Sequence, residues 1–249
     1  MVDSNSTTKI LVIEDDVVIS TAIAERLAFE GWDGKVVSDG SVAVETAREF
    51  DPDLILLDLM LPGMNGFQIC PQIRQFSRVP IIVVTARDFE EDEVKILGLG
   101  ADDFISKPIR PSVLVAHIKV WLSRYKKILD IERLESPQVY DIRGLHIDIE
   151  KHQVIRTDKE GNQHEIILTP MEFALLAKLA SAPEKVFSRS YLLKELWNWA
   201  NGAGGTRTVD SHVKSLRRKI TQRSEGGELL PDPIKTVHGV GYSLDIEAC

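Results

Sequence analysis

Glu14, Asp15, Asp58, Thr85 and Lys107 are the residues whose types and spacing could do chemistry. Each closes a short apolar run: Lys9–Ile13 ends in Glu14-Asp15-Asp16, Leu54–Leu57 in Asp58, Val79–Val84 in Thr85, and Asp103–Ser106 in Lys107. Adjacent carboxylates with a third across a strand gap suit a hard cation such as Mg²⁺, which prefers oxygen ligands and keeps several waters. That cation would offset the repulsion among the acids and screen an incoming phosphoryl group. An ionised carboxylate needs no general base near neutral pH, so Asp58 can itself be the nucleophile. Lys107 can pair with phosphoryl oxygens as a point charge, and Thr85 can donate a hydroxyl hydrogen bond. The chemistry is phosphoryl transfer to Asp58. A cap, a turn or a solvated loop would explain each residue alone; their recurrence at successive strand ends argues for a site.

The elements that must position these groups are legible from apolar periodicity. Strands are expected at Lys9–Ile13, Lys35–Val37, Asp53–Asp58, Val79–Val84 and Asp103–Ser106. Helices are expected at Val17–Phe29, Ser41–Phe50, Phe67–Phe76, Asp88–Leu97 and Pro111–Lys127, with Pro71 kinking or delaying the third. Strands alternating with helices imply a parallel sheet covered on both faces. Open sheets of this kind bind ligands at the carboxyl ends of their strands, where the five residues stand.

Two cysteines, Cys70 and Cys249, give neither a disulfide framework nor metal spacing. No apolar run approaches the roughly 18 residues of a membrane span, and the first residues do not read as a signal peptide, so a cytoplasmic protein is expected. The net charge of −8 is uneven: residues 1–127 carry 20 acids against 14 bases, and 128–249 carry 18 against 16. Within Arg207–Arg223 six bases face one acid, Asp210, a local excess able to steer a polyanion.

The first half resembles the receiver domain of bacterial two-component response regulators. The matching pieces are Ile-Glu14-Asp15, Leu-Leu-Asp58-Leu-Met60-Leu-Pro-Gly-Met-Asn-Gly, Val-Val-Thr85-Ala86 and Gly-Ala-Asp-Asp-Phe104-Ile-Ser-Lys107-Pro108. The resemblance implies phosphorylation of Asp58 by a sensor histidine kinase. It implies Mg²⁺ held by Asp15, Asp58 and the Met60 carbonyl with Glu14 assisting, and Thr85 and Phe104 as a switch pair. Phe104 stands where many relatives carry Tyr, and so lacks that hydroxyl. Relatives dimerise on activation through charged pairs. Here Glu93, Val113 and His117 replace Arg, Glu and Arg while Lys95, Asp102, Asp103 and Lys119 remain, so a weaker or more apolar homodimer is expected.

A charged linker is expected over residues 128–138, and after it the period turns to β. Leu145–Ile149, Gln153–Thr157 and His164–Leu168 read as a small antiparallel sheet around a turn at Asp158–Asn162. Thr169-Pro170-Met171-Glu172 is a capping box with proline at the first helical position. Ser188 caps a second helix, and Asn198–Thr206 reads as a flexible loop. A third helix, Thr208–Thr221, puts Val209, Val213, Leu216 and Ile220 in one stripe. Arg207, Ser211, Lys214 and Arg218 fall opposite, with His212, Ser215, Arg217 and Lys219 on the flanks. One apolar stripe under a broad basic face suits a helix in a DNA major groove. Ile234–His238 and Gly241–Leu244 then form a hairpin beside it. His212 and His238 lack a Cys or carboxylate at metal-ligand spacing.

These pieces resemble the winged-helix DNA-binding domain of the OmpR/PhoB family, over residues 139–249. The motifs are Leu-Thr-Pro-Met-Glu-Phe-Ala-Leu-Leu, Phe-Ser-Arg-Ser-Tyr-Leu-Leu, Arg207-Thr-Val-Asp-Ser-His-Val-Lys-Ser-Leu-Arg-Arg-Lys219 and Val-His-Gly-Val-Gly-Tyr. The resemblance implies phosphate contacts from Arg207, His212, Lys214, Arg217 and Thr236. It also implies base-facing positions at Ser211, Lys214, Ser215 and Arg218, and His238 in the minor groove. Together the halves imply an α/β receiver over 8–127 (five-stranded parallel sheet, flavodoxin/CheY-like) followed by an α+β winged helix-turn-helix domain. The implied function is phosphorylation-switched binding to repeated half-sites on double-stranded DNA, regulating transcription, with RNA polymerase a candidate partner. The alternative is a phosphorylation-independent DNA-binding regulator whose receiver is an inert dimerisation module. An enzyme acting on external phosphoesters would need a second acid/base group that the set lacks.

Overall fold

The computed structural model describes residues 7–85, 99–130, 139–158, 161–197, 207–221 and 231–245. The chain divides into two compact units, Met1–Lys126 and Lys127–Cys249. The expected helix 88–97, the loop 198–206 and most of the expected linker, 131–138, lie outside the described residues.

The first unit carries a five-stranded sheet in the order β2-β1-β3-β4-β5, with every neighbouring pair parallel. Its strands are β1 (Lys9–Ile13), β2 (Asp33–Val37), β3 (Leu54–Asp58), β4 (Ile81–Thr85) and β5 (Asp103–Ser106). The helices are α1 (Val17–Phe29), α2 (Ala43–Phe50), α3 (Gly66–Ile73) and α4 (Pro111–Asp130), so α4 continues beyond the expected end of the receiver at 127. Strands buried on both faces explain the apolar runs, because successive side chains point to opposite sides. Leu11, Ile13, Ile55, Leu57, Ile81 and Val83 form one core with Ala43, Ala47, Ile69 and Ile73 of α2 and α3. Ile10, Val12, Leu54, Leu56, Ile82 and Val84 alternate with them and are buried on the other side.

Local chemistry sets the helix starts. Asp16 caps α1, accepting from Val18 N at 2.8 Å and Ile19 N at 3.1 Å, which leaves Glu14 and Asp15 for other work. Asn65 and Gln68 form a capping box that starts α3 at Gly66, earlier than Pro71 alone suggests, and Pro71 lies inside the helix. Helix α3 then stops at Ile73 rather than Phe76.

The second unit begins with a four-stranded antiparallel sheet in the order β6-β7-β8-β9: Val139–Ile142, Leu145–Asp148, Gln153–Thr157 and Gln163–Glu165. Helices α5 (Pro170–Ala180), α6 (Arg189–Trp197) and α7 (Arg207–Ile220) follow. A second sheet has the order β10-β12-β11, made of Phe187–Ser188, Gly241–Leu244 and Ile234–Val237. Helix α5 is apolar nearly all round and is correspondingly buried, all but Lys178. Among the described residues no helix is long and apolar enough to cross a membrane.

Candidate functional site

The register of the parallel sheet brings the strand ends together. Ile13 of β1 lies opposite Leu57 of β3, so Glu14 and Asp58 leave the sheet at one level. Asp58 lies opposite Val84, and Thr85 opposite Ser106, one residue before Lys107. The Lys107 backbone N–H donates to the Thr85 carbonyl at 2.7 Å, fixing the lysine against β4. Its side chain returns to the sheet edge, where Nζ lies 2.6 Å from Asp58 Oδ2 and 2.7 Å from Glu14 Oε2. The other Asp58 oxygen, Oδ1, accepts from Met60 N at 3.0 Å.

Glu14 and Asp58 are only 2% and 6% exposed, whereas Asp15 is exposed. Burial pushes the Glu14 carboxyl pKa up, the Lys107 hydrogen bond opposes that rise, and the nearby charge of Asp58 adds to it. Burial by itself would lower the Lys107 ammonium, but its hydrogen bonds to Asp58 and Glu14 outweigh this and its pKa is raised. Ligand atoms of Glu14, Asp15 and Asp58 all lie within 4.8 Å of one another, an all-oxygen set of the kind hard cations take. Thr85 is buried, and Phe104 is half-buried against the core that α2 and α3 cover.

In the second unit Val209, Val213, Leu216 and Ile220 of α7 are all buried as the stripe required. Arg207, Lys214 and Arg218 are exposed and, at about 100° per residue, share a sector roughly 40° wide. Ser211, His212 and Ser215 are buried, which corrects their expected place on a DNA face. The Ser211 hydroxyl folds back onto the Arg207 carbonyl at 3.1 Å, and the His212 ring packs 5.1 Å from that of Trp197. Ser215 Oγ donates to Glu172 Oε1 at 2.6 Å, inside the domain. Arg217 binds Asp232 at 2.8 Å and donates to Thr236 Oγ1 at 2.8 Å, so these two expected phosphate contacts hold each other and join α7 to β11. The one acid of the helix, Asp210, is neutralised by Arg189 Nε at 2.7 Å and accepts from the Tyr242 hydroxyl of β12. His238 is exposed at the turn of the β11–β12 hairpin.

Residues 10–119 match the response regulator receiver domain, and residues 163–244 match the C-terminal domain of transcriptional regulatory proteins. The DNA-binding response regulator MtrA of Mycobacterium tuberculosis is 41% identical over 234 residues, covering 94% of this chain and 95% of MtrA. The chain belongs to the OmpR/PhoB family of DNA-binding response regulators. The transcriptional regulatory protein YclJ of Bacillus subtilis is 39% identical over 241 residues, 95% of this chain and 99% of its own. Among solved structures, a mutant of RitR is 28% identical with a TM-score of 0.77, covering 96% of this chain and all of that one.

This response regulator, a two-component transcription regulator and not an enzyme of the usual kind, departs from expectation at the charges assigned to a dimer face. Asp102 is fully buried, bound to Arg74 Nη2 at 2.5 Å and to Ile81 N at 2.9 Å. Asp103 is buried too, accepting from Trp121 Nε1 at 2.7 Å with His117 Nδ1 at 3.3 Å. Lys119 pairs with Glu30 at 2.5 Å. Glu93 and Lys95 lie outside the described residues. What α4 leaves exposed includes the apolar Val113 and Val120. Sequence reasoning also missed Glu172 as more than a cap, although a carboxylate in an otherwise apolar helix start was the available signal.

Proposed function

We propose that Asp58 accepts a phosphoryl group from a phosphohistidine of a sensor histidine kinase, and that this switches DNA binding by the C-terminal domain. The observation that carries the reading is Lys107 Nζ bridging Asp58 at 2.6 Å and Glu14 at 2.7 Å, beside Asp15. An Asp58 oxygen forms the new P–O bond as the P–N bond breaks, and the electron pair leaves with the imidazole. Mg²⁺ held by Asp15, Asp58 and the Met60 carbonyl, with Glu14 assisting, would screen the charge of the arriving group. The Met60 N–H holds Asp58 in one rotamer, so its attacking oxygen is oriented beforehand. Lys107 follows the negative charge from the carboxylate to the phosphoryl oxygens. Thr85 then turns its hydroxyl to that group, and half-buried Phe104 fills the space behind it.

The output is dimerisation in the cytoplasm and binding to paired half-sites, where two weak contacts become one strong one. With Asp102 and Asp103 committed inside the protomer, the activated dimer rests on apolar contact at Val113 and Val120 more than on ion pairs. Sedimentation with and without beryllofluoride should therefore show a weak dimer whose association changes little between low and high salt. A tight, salt-sensitive dimer would refute this.

Arg207, Lys214 and Arg218 form the main DNA face, with His238 reaching from the wing and RNA polymerase recruited beside it. Arg217 and Thr236, already bonded to each other, set the wing and touch phosphate only at their outer edges. Replacing Lys214 with Ala should weaken binding to unrelated duplexes alike and reduce the slope of log K against log salt by about one. Filter binding across a salt series checks this; a loss confined to one sequence would assign Lys214 to base readout.

A further inference from the structure

We propose that Glu172, out of reach of any ligand, positions the DNA-reading helix by gripping Ser215 and Lys219 of α7 on a single carboxylate. The inference rests on the reading above that Arg207, Lys214 and Arg218 face DNA. Glu172 is 0% exposed and sits in the first turn of α5. A carboxylate taken out of water is strongly destabilised unless its lone pairs are met. Here Oε1 accepts from Ser215 Oγ at 2.6 Å. Oε2 accepts from Thr169 N at 2.8 Å and from Lys219 Nζ at 2.5 Å. The capping box accounts for one of the three donors; the other two come from another helix more than forty positions along the chain.

The geometry of those two donors is what makes the grip directional. Ser215 and Lys219 are four residues apart, so they stand one above the other on one flank of α7. Two anchors a turn apart on a fixed carboxylate oppose both rotation about the helix axis and sliding along it. Arg217 on the opposite flank is tied to Asp232 and Thr236, and the apolar stripe lies beneath. Only the sector of Arg207, Lys214 and Arg218 is left outward. For a helix about 10–12 Å across, a turn of roughly 20° moves a side-chain tip by about 2 Å, more than a base hydrogen bond tolerates. Phosphate attraction is long-ranged and survives such a turn. Loosening the grip should thus cost discrimination between sequences while sparing general attraction to DNA.

The test selects duplexes from a randomised pool with the full wild-type chain. It then compares wild type, Ser215→Ala, Glu172→Gln and the double variant on the selected duplex and on a scrambled one. In Ser215→Ala the ratio of selected to scrambled affinity should fall about tenfold, the scale of one hydrogen bond to a charged group. Affinity for the scrambled duplex should change less than about twofold, and the double variant should lose no more than the larger single loss. Reselection with Ser215→Ala should return the same bases with weaker preference at every position. An altered base at one position would make Ser215 a base contact and overturn the proposal. So would an unchanged ratio, or strictly additive losses. Should Glu172→Gln fail to fold, Lys219→Gln replaces it in the cycle with the same expectation. Lys214→Ala measured alongside reports on the DNA face separately: no loss on scrambled duplex would displace that face and leave the Ser215 comparison standing.

Discussion

Asp58→Asn protein incubated with acetyl phosphate and Mg²⁺ is expected to take up no phosphoryl group, while wild type gains one. Asn keeps the shape of the side chain and can still accept from Met60 N, so the loop after β3 keeps its anchor. What is lost is the anionic nucleophile, since an amide oxygen at neutral charge is a poor one. Lys107 retains Glu14 as its counter-ion at 2.7 Å and is not left unpaired. The variant should therefore fold, and intact-mass measurement with acid and base stability of the label reads the result directly. Wild-type label should be lost in base, as an acyl phosphate is. Uptake by Asp58→Asn equal to wild type would place the phosphoacceptor elsewhere and sink the assignment. Glu14 is the obvious rival, but it is the more deeply buried of the two carboxylates.

The receiver was legible because its three central strands, β1, β3 and β4, are short apolar runs that close on polar groups, a pattern that parallel sheets impose. That pattern also marked the candidate site, since register alone carries Glu14, Asp58, Thr85 and Lys107 to one edge. Strand β10 was not legible: two residues, Phe187 and Ser188, have no period to read. It pairs with β12 because Gly241 has no side chain, and a Cβ there would fall 1.9 Å from the Phe187 carbonyl. Strand β6 was missed because Val139-Tyr140-Asp141-Ile142 does not alternate in sequence: apolar Val139 is exposed although Ile142 is buried.

The errors at Ser215 and Arg217 on α7 have one cause. A helical wheel assigns each residue an angle about the axis, and it placed the buried stripe correctly. It cannot say how many sides of the helix are covered. With α5 closing one flank and the wing the other, Ser215 and Lys219 turn to Glu172 and Arg217 turns to Thr236. The basic count of the segment accordingly overstates the charge offered to DNA. Asp102, just before β5, and Asp103, its first residue, fail in the same way: acids at a strand's start read as surface groups until a partner elsewhere in the chain is known.

Asp102→Ala should be among the most damaging single changes in the receiver, though it lies away from the proposed phosphoacceptor. The Arg74 guanidinium is almost wholly buried, and Asp102 is its one carboxylate among the described residues. Arg74 also donates to the carbonyls of Gly100 at 2.7 Å and Val79 at 2.6 Å, which hold its position but supply no countercharge. The surroundings cannot easily relax, because Gly100 has φ +108° and a Cβ there would already meet Arg74 Cγ at 2.9 Å. Ile81 N, which now donates to Asp102 Oδ2 at 2.9 Å, would lose its acceptor at the start of β4. Breaking a buried pair from one side costs about 3–5 kcal/mol, a large share of a domain's stability. The receiver transition in calorimetry should fall by about 10–20 °C while that of the DNA-binding unit holds. Adding Arg74→Met to Asp102→Ala should recover part of the loss, because the stranded charge then goes too. A fall of less than about 3 °C in the single variant would show that water reaches Arg74 and that the pair does not bolt the end of α3 to the start of β4.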